Sequence, residues 1–124
     1  MAYYTSFALA SDGFVYAWGA NGGGQLGQGD FVVSYTPVKM KDAAGTGFLS
    51  NIVKIAAGGA GNIPGFVLAL DSSGSVWACG GGAQGQLGQG ADLAAHWLPV
   101  KVKDTLLGVR HTRRILAQSR KLKP

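Results

Sequence analysis

The sequence predicts an all-β chain made of β-propeller blades, and three observations predict it. A glycine-rich stretch occurs twice, as "VYAWGANGGGQLGQGD" (15–30) and "VWACGGGAQGQLGQGA" (76–91). Each copy is preceded by a short alternating pattern broken by a turn. The composition of the 124 residues is poor in helix-forming material, with 21 Gly and no Glu, and Gly both interrupts helices and permits tight turns.

Laid without a gap, residues 7–30 and 68–91 share 13 identities in 24 positions, including the block "GQLGQG". After one inserted residue the match resumes as "PVKMKD" (37–42) and "PVKVKD" (99–104). A period near 60 residues points to an array in which each repeat is one supersecondary unit that needs neighbours to cover its faces.

Within the first unit, "TSFALASDGFVYAW" reads as two strands joined at Ser11-Asp12-Gly13, where Gly supplies the positive φ of a tight hairpin. After the glycine-rich loop, "TPVKM" reads as a third strand with Pro37 at its start, where no ladder N–H is lost. "NIVKIAAGG" (51–59) is a strand leading into the second hairpin, "FVLALDSSGSVWAC", which bends at Ser72-Ser73-Gly74. "LPVKV", opened by Pro99, completes the set. Residues 51–102 therefore spell one four-stranded antiparallel blade, and the first repeat spells a blade without its leading strand. Repeated sets of four short strands are characteristic of propellers. Ala17, Gly19, Ala56, Ala57, Gly58 and Gly59 suit the crowded positions near a propeller axis. Trp18, Trp77, Leu26 and Leu87 are large enough to fill the space between blades.

Gly22-x-Gly24-x-x-Gly27 has the spacing of a dinucleotide-binding turn. That fingerprint needs a helix to begin at the turn, whereas here "DFVVSYTP" follows, and the second copy has Ala83 in place of the first Gly. The loop is read as structural, and no cofactor is expected.

"ALASDGFVYAWGANGGGQLGQG" with "TPVKM" and "IVKIAAGG", and then "LALDSSGSVWACGGGAQGQLGQG" with "LPVKV", resembles the repeat of the regulator of chromosome condensation family. The likeness covers about residues 5–104. Its motif positions here are Gly13, Trp18, Gly19, Gly24, Gln25, Leu26, Gly27 and Gly29 in one copy. In the other they are Gly74, Trp77, Gly80, Gly85, Gln86, Leu87, Gly88 and Gly90. The resemblance implies blades of a seven-bladed propeller and a family whose members act as platforms for protein partners. Its founding member also promotes nucleotide exchange on a small nuclear GTPase and binds chromatin. Two repeats are present where a closed ring needs about seven. The family usually has His shortly before the Ala-Leu pair; Thr5 and Phe66 stand there instead, which removes whatever hydrogen bond that His makes. Nothing matches the founding member's exchange hairpin, so no catalytic residue is carried over.

Chemistry elsewhere is sparse. His96, read as a solvated residue of the loop before Pro99, has only Asp92 nearby in sequence, and His111 lies in the tail. One Cys, two distant His and scattered Asp provide no metal-ligand spacing. Cys79 is the sole cysteine, so no intramolecular disulfide forms, and it reads as a small packed apolar residue. Asp12, Asp30, Asp42, Asp71, Asp92 and Asp104 fall in turns, loops or strand ends, where the side chain bonds its own backbone.

The net charge of +5 belongs to one end. Residues 1–104 hold five Lys against six Asp, while 105–124 hold six basic residues and no acid. Residues 105–124 leave the repeat pattern and read either as a solvated end or as a short basic amphipathic helix. In the second reading Arg110, Arg113, Arg114 and Arg120 contact a nucleic-acid backbone or an acidic membrane surface. No basic leader or long apolar run is present, which reads as a soluble, cytoplasmic chain with the nucleus left open. The function expected is a non-enzymatic protein-binding module, either a fragment or a self-assembling unit, because two blades leave strand edges and faces uncovered. Exchange on a small GTPase and nucleic-acid tethering by the tail are the alternatives.

Overall fold

A computed structural model describes residues 4–59 and 65–103. Seven strands form two antiparallel sheets, and there is no helix among the described residues. The first sheet, β1-β2-β3, comprises Thr5–Leu9, Val15–Gly19 and Ser34–Lys39. The second, β4-β5-β6-β7, comprises Ile52–Gly58, Phe66–Asp71, Val76–Gly80 and His96–Lys101. These are a three-stranded and a four-stranded propeller blade, with β1 of the first lying against β4, the leading strand of the second.

The hairpins follow from alternation. Thr5, Phe7 and Leu9 face Gly19, Ala17 and Val15 across β1 and β2, and Leu68 and Leu70 face Ala78 and Val76 across β5 and β6. Asp12 accepts from the Phe14 amide in the first turn. Asp71 governs the second turn. Its Oδ1 accepts from the Ser73 amide, the Ser73 hydroxyl and the Ser75 amide, and its Oδ2 accepts from the Trp77 indole. Burial opposes ionisation of that carboxyl, but the bonds from Ser73, Trp77 and Ser75 outweigh it and hold the pKa below its ordinary value.

Both outer strands are longer than expected. Pro37 and Pro99 lie late in β3 and β7 and do not start them. Pairing runs Ala17↔Val38 and then jumps to Gly19↔Ser34, and likewise from Ala78↔Val100 to Gly80↔His96. Each proline falls in the skipped stretch of a bulge, where the strand has no ladder bond for a missing N–H to break. His96, expected in a loop, opens β7 opposite Gly80.

The inserted residue of the second repeat is also placed. Asp30 accepts from the amide of Val32, and Asp92 from that of Ala94. Asp92 is thus the counterpart of Asp30, Leu93 of Phe31 and Trp97 of Tyr35, with Ala91 the extra residue.

The main core lies between the sheets. Val15, Met40 and Leu49 meet Ile52, Val67, Ala69 and Cys79, with Phe7, Leu9, Ile55 and Trp77 packed around them. A second cluster, Phe66, Leu68, Ala78 and Leu87 with Val102, covers the other face of the second sheet. Crowding at the leading strands is partial: Gly58 lies against the Phe66 ring, but Ala57 and Gly59 are exposed. Residues 105–124, with Arg110, Arg113, Arg114, Arg120 and the anticipated basic helix, lie outside the described residues.

Candidate interaction surface

The "GQLGQG" loop is a hydrogen-bonded plug. Gln25 is fully buried; its Oε1 accepts from the Gly23 amide and its Nε2 donates to the Thr5 hydroxyl. Gln86 accepts from the Gln84 amide in the same manner. The second glutamine of each loop pins it to the outer strand: Gln28 donates to the carbonyls of Leu26 and Lys39, and Gln89 to those of Leu87 and Lys101. Leu26 and Leu87 are buried beneath their loops. Gly27 and Gly88 lie against Met40 and Val102. The first loop carries one more anchor, Asn21. Its Nδ2 donates to the carbonyls of Asp30 and Val32 and to the Asp30 carboxylate, and its Oδ1 accepts from the Leu26 amide. Four amides of this loop are thus committed inside it, those of Gly23 and Leu26 to side chains, that of Gly24 to the Asn21 carbonyl and that of Gly27 to the Gly24 carbonyl.

Sequence reasoning took Gln25 and Gln86 from the motif but missed Asn21, Gln28 and Gln89; the equal spacing of both glutamines in the two copies was the available signal. Where Thr5 stands in place of the family's His, its hydroxyl donates to the Ala20 carbonyl and accepts from Gln25. In the second blade Phe66 occupies this position with its ring over Gly58.

The first loop docks on the second blade. The Gly29 amide donates to the Trp97 carbonyl, and the Cys79 thiol donates to the carbonyls of Gly24 and His96. A side chain on Gly24 would come within 2.7 Å of the Trp97 Cα, and Gly13 abuts the backbone of Asn51. At the counterparts Gly74, Gly85 and Gly90, no atom of the other described residues, the two chain neighbours aside, lies within 4 Å of where a side chain would begin. Trp77 joins the core between the blades, whereas Trp18 is half-buried on the opposite face of the first sheet. Gly19 and Gly80 serve within their own blades, pressed against the carbonyls of Tyr4 and Gly65.

Burial pushes the Cys79 thiol up to about 12, so it is inert as a nucleophile, since the thiolate is the reactive form. Alkylation of the native chain by iodoacetamide at neutral pH is expected to be slower by orders of magnitude than in denaturant. Unfolded, the thiol titrates near 9.0. Between there and about 12 the unfolded state sheds a proton that the folded state keeps, so stability falls as pH rises through that window. Urea midpoints measured at pH 8 and pH 11 check the sign, with Cys79→Ala removing this component.

His96 and Asp92 form a 3.0 Å pair at the edge of the second loop. The Ala94 amide and His96 together hold the Asp92 carboxyl below its ordinary value. The half-buried imidazole has a carboxylate partner, and no group of three metal-ligating side chains exists among the described residues. No helix among the described residues is long and apolar enough to cross a membrane.

The surface is distinguished by apolar exposure. Among the described residues, six of the nine large exposed hydrophobic ones, Phe31, Val32, Val33, Tyr35, Leu93 and Trp97, lie in the two repeat-equivalent stretches that lead from the loops into the outer strands. Phe31 and Trp97 pack across the blade boundary with ring centroids 4.8 Å apart.

The model for the regulator of chromosome condensation (RCC1) repeat matches residues 12–63 and 73–113. Among curated proteins, the human probable E3 ubiquitin-protein ligase HERC6 is 34% identical over 99 residues, 79% of this chain and 9% of that protein. The mitochondrial RCC1 domain-containing protein RUG3 of Arabidopsis thaliana is 33% identical over 100 residues, 81% of this chain and 20% of that protein. The human E3 ubiquitin-protein ligase HERC2 is 34% identical over 84 residues, 68% of this chain and 2% of that protein. The chain therefore spans a fifth or less of these relatives. The crystal structure of human WBSCR16 superposes with a TM-score of 0.61 at 22% identity, covering 80% of this chain and 23% of that one, a likeness of fold.

Proposed function

Because the chain belongs to the regulator of chromosome condensation repeat family, we propose that it works as a non-enzymatic protein-interaction module whose loop-to-outer-strand rim contacts the partner. The observation that carries this reading is the concentration of exposed apolar side chains in residues 31–35 and 93–97. Loops held by a rigid scaffold are where binding residues concentrate, and an exposed aromatic and aliphatic group is costly unless something covers it. Tyr and Trp are also the side chains that most often dominate interface energetics. The ligase activity in two relatives' names is not transferred, because the match covers only a small share of those proteins.

The test is a peptide-display selection against the folded chain. Val32→Asp with Val33→Asp, at exposed positions, is expected to keep the thermal transition and weaken selected binders about tenfold or more. Binders unaffected by the double substitution, or no binders at all, would overturn the reading.

A further inference from the structure

The interface between the two blades has two unlike sides, and the described residues carry a second, less covered example of each. Gly24 and Met40 of the first blade are buried where the sheets meet, while their repeat counterparts Gly85 and Val102 are only partly buried. Val67 and Ala69 of the second blade are buried at the same interface, and their counterparts Ser6 and Ala8 are exposed on the first. The rim shows the same relation. Phe31 of the first blade packs on Trp97 of the second, whereas their counterparts Leu93 and Tyr35 are 50% and 88% exposed.

Unlike sides that match each other and lie on opposite faces of one molecule define a heterologous contact, which closes into a ring or continues as a filament. We infer that this chain associates head to tail, the free face of the second blade in one copy receiving the first blade of another. The occupant is a second copy because the matching surface is this chain's own and its docking geometry already exists once within the molecule. In the assembly, the Gly85 loop of one copy abuts the β3 strand of the next, as the Gly24 loop abuts β7. Leu93 and Tyr35 then pack as Phe31 and Trp97 do. This rests on reading the chain as an interaction module and names one partner of it; the positions that test it, Ala8 and Gln84, lie outside the rim stretches 31–35 and 93–97, so the two can fail separately.

The experiment is light scattering on a sizing column from low micromolar to millimolar chain, with variants blocking one face each. Ala8→Arg blocks the first-blade side and Gln84→Arg the second-blade side, both at exposed positions. The unsubstituted chain is expected to grow in mass with concentration. Each variant alone is expected to associate at least about tenfold more weakly, because the added charge would have to be desolvated at the contact. An equimolar mixture of the two is expected to form a dimer and stop there, since each partner retains one intact face. A folded chain that stays monomeric throughout, variants that assemble like the parent, or a mixture that behaves as its components do alone would each overturn the inference; occupation of the face by an unrelated protein with no self-association would do so too.

Discussion

Gly80→Ala is expected to cost roughly 4 kcal/mol, enough to unfold the second blade under mild denaturant. Gly80 closes β6 at φ 113°, a conformation that an L side chain rarely adopts. Its missing side chain is filled by backbone: a Cβ there would overlap the Gly65 carbonyl oxygen and approach the Phe66 Cα to 2.8 Å. Neither group can rotate away, because Phe66↔Gly80 is a ladder pair. The cost therefore combines an unfavourable dihedral with a steric clash that only a shift of β5 can relieve. Gly19 repeats the geometry in the first blade, at φ 106° with the Tyr4 carbonyl 2.5 Å from the added carbon. Urea titration followed by circular dichroism is expected to show midpoints lowered for both alanine variants. A Gly80→Ala chain with an unchanged midpoint would mean that the pairing of β5 with β6 differs from the one described.

Legibility divides along physical lines. The hairpins were readable because alternation and a turn glycine are local, and the missing leading strand of the first blade was readable because the second copy supplied the template. All seven strands accordingly fall at the expected places, with β3 and β7 each beginning two residues earlier than expected. What stayed hidden depends on register. That Pro37 and Pro99 sit in a bulge, and that His96 opens a strand, follows from where β2 and β6 jump their pairing, which no local pattern reports. The position of the extra residue at Ala91 became visible only when Asp30 and Asp92 were seen to cap equivalent turns. In the candidate site, the glycines and leucines of the loop stood out by composition. Asn21, Gln28 and Gln89 did not, because a buried amide in a glycine-rich loop looks like polar surface until its carbonyl partners are known.

The build shared by the two loops bears on the proposed binding role. A loop whose backbone donors and acceptors are satisfied internally is a rigid body, and rigid bodies present flanking side chains with little ordering cost on binding. The Gln28 and Gln89 bonds to β3 and β7 fix the approach to the exposed rim. Phe31, Val33, Leu93 and Trp97 thus stand on a braced frame and not on a loose loop, which suits a binding surface better than a catalytic one.

The account's central claim is that the glycine loop of one blade docks on the next, and that the second loop, built alike apart from the Asn21 anchor, has no such dock among the described residues. Gly24 and Gly85 make this measurable as a pair. Their φ angles are 81° and 77°, so alanine meets nearly the same intrinsic penalty at both, about 1–2 kcal/mol. Only Gly24 has a neighbour to collide with, the Trp97 backbone at 2.7 Å. The measurement is the unfolding free energy of Gly24→Ala and Gly85→Ala in urea, at chain concentrations low enough to keep copies apart. Gly24→Ala is expected to lose roughly 3 kcal/mol or more and Gly85→Ala about 1–2 kcal/mol, the difference being the obstructed dock. Equal losses at the two positions would contradict the claim, because they would mean that the first loop touches the second blade no more than the second loop touches open solvent.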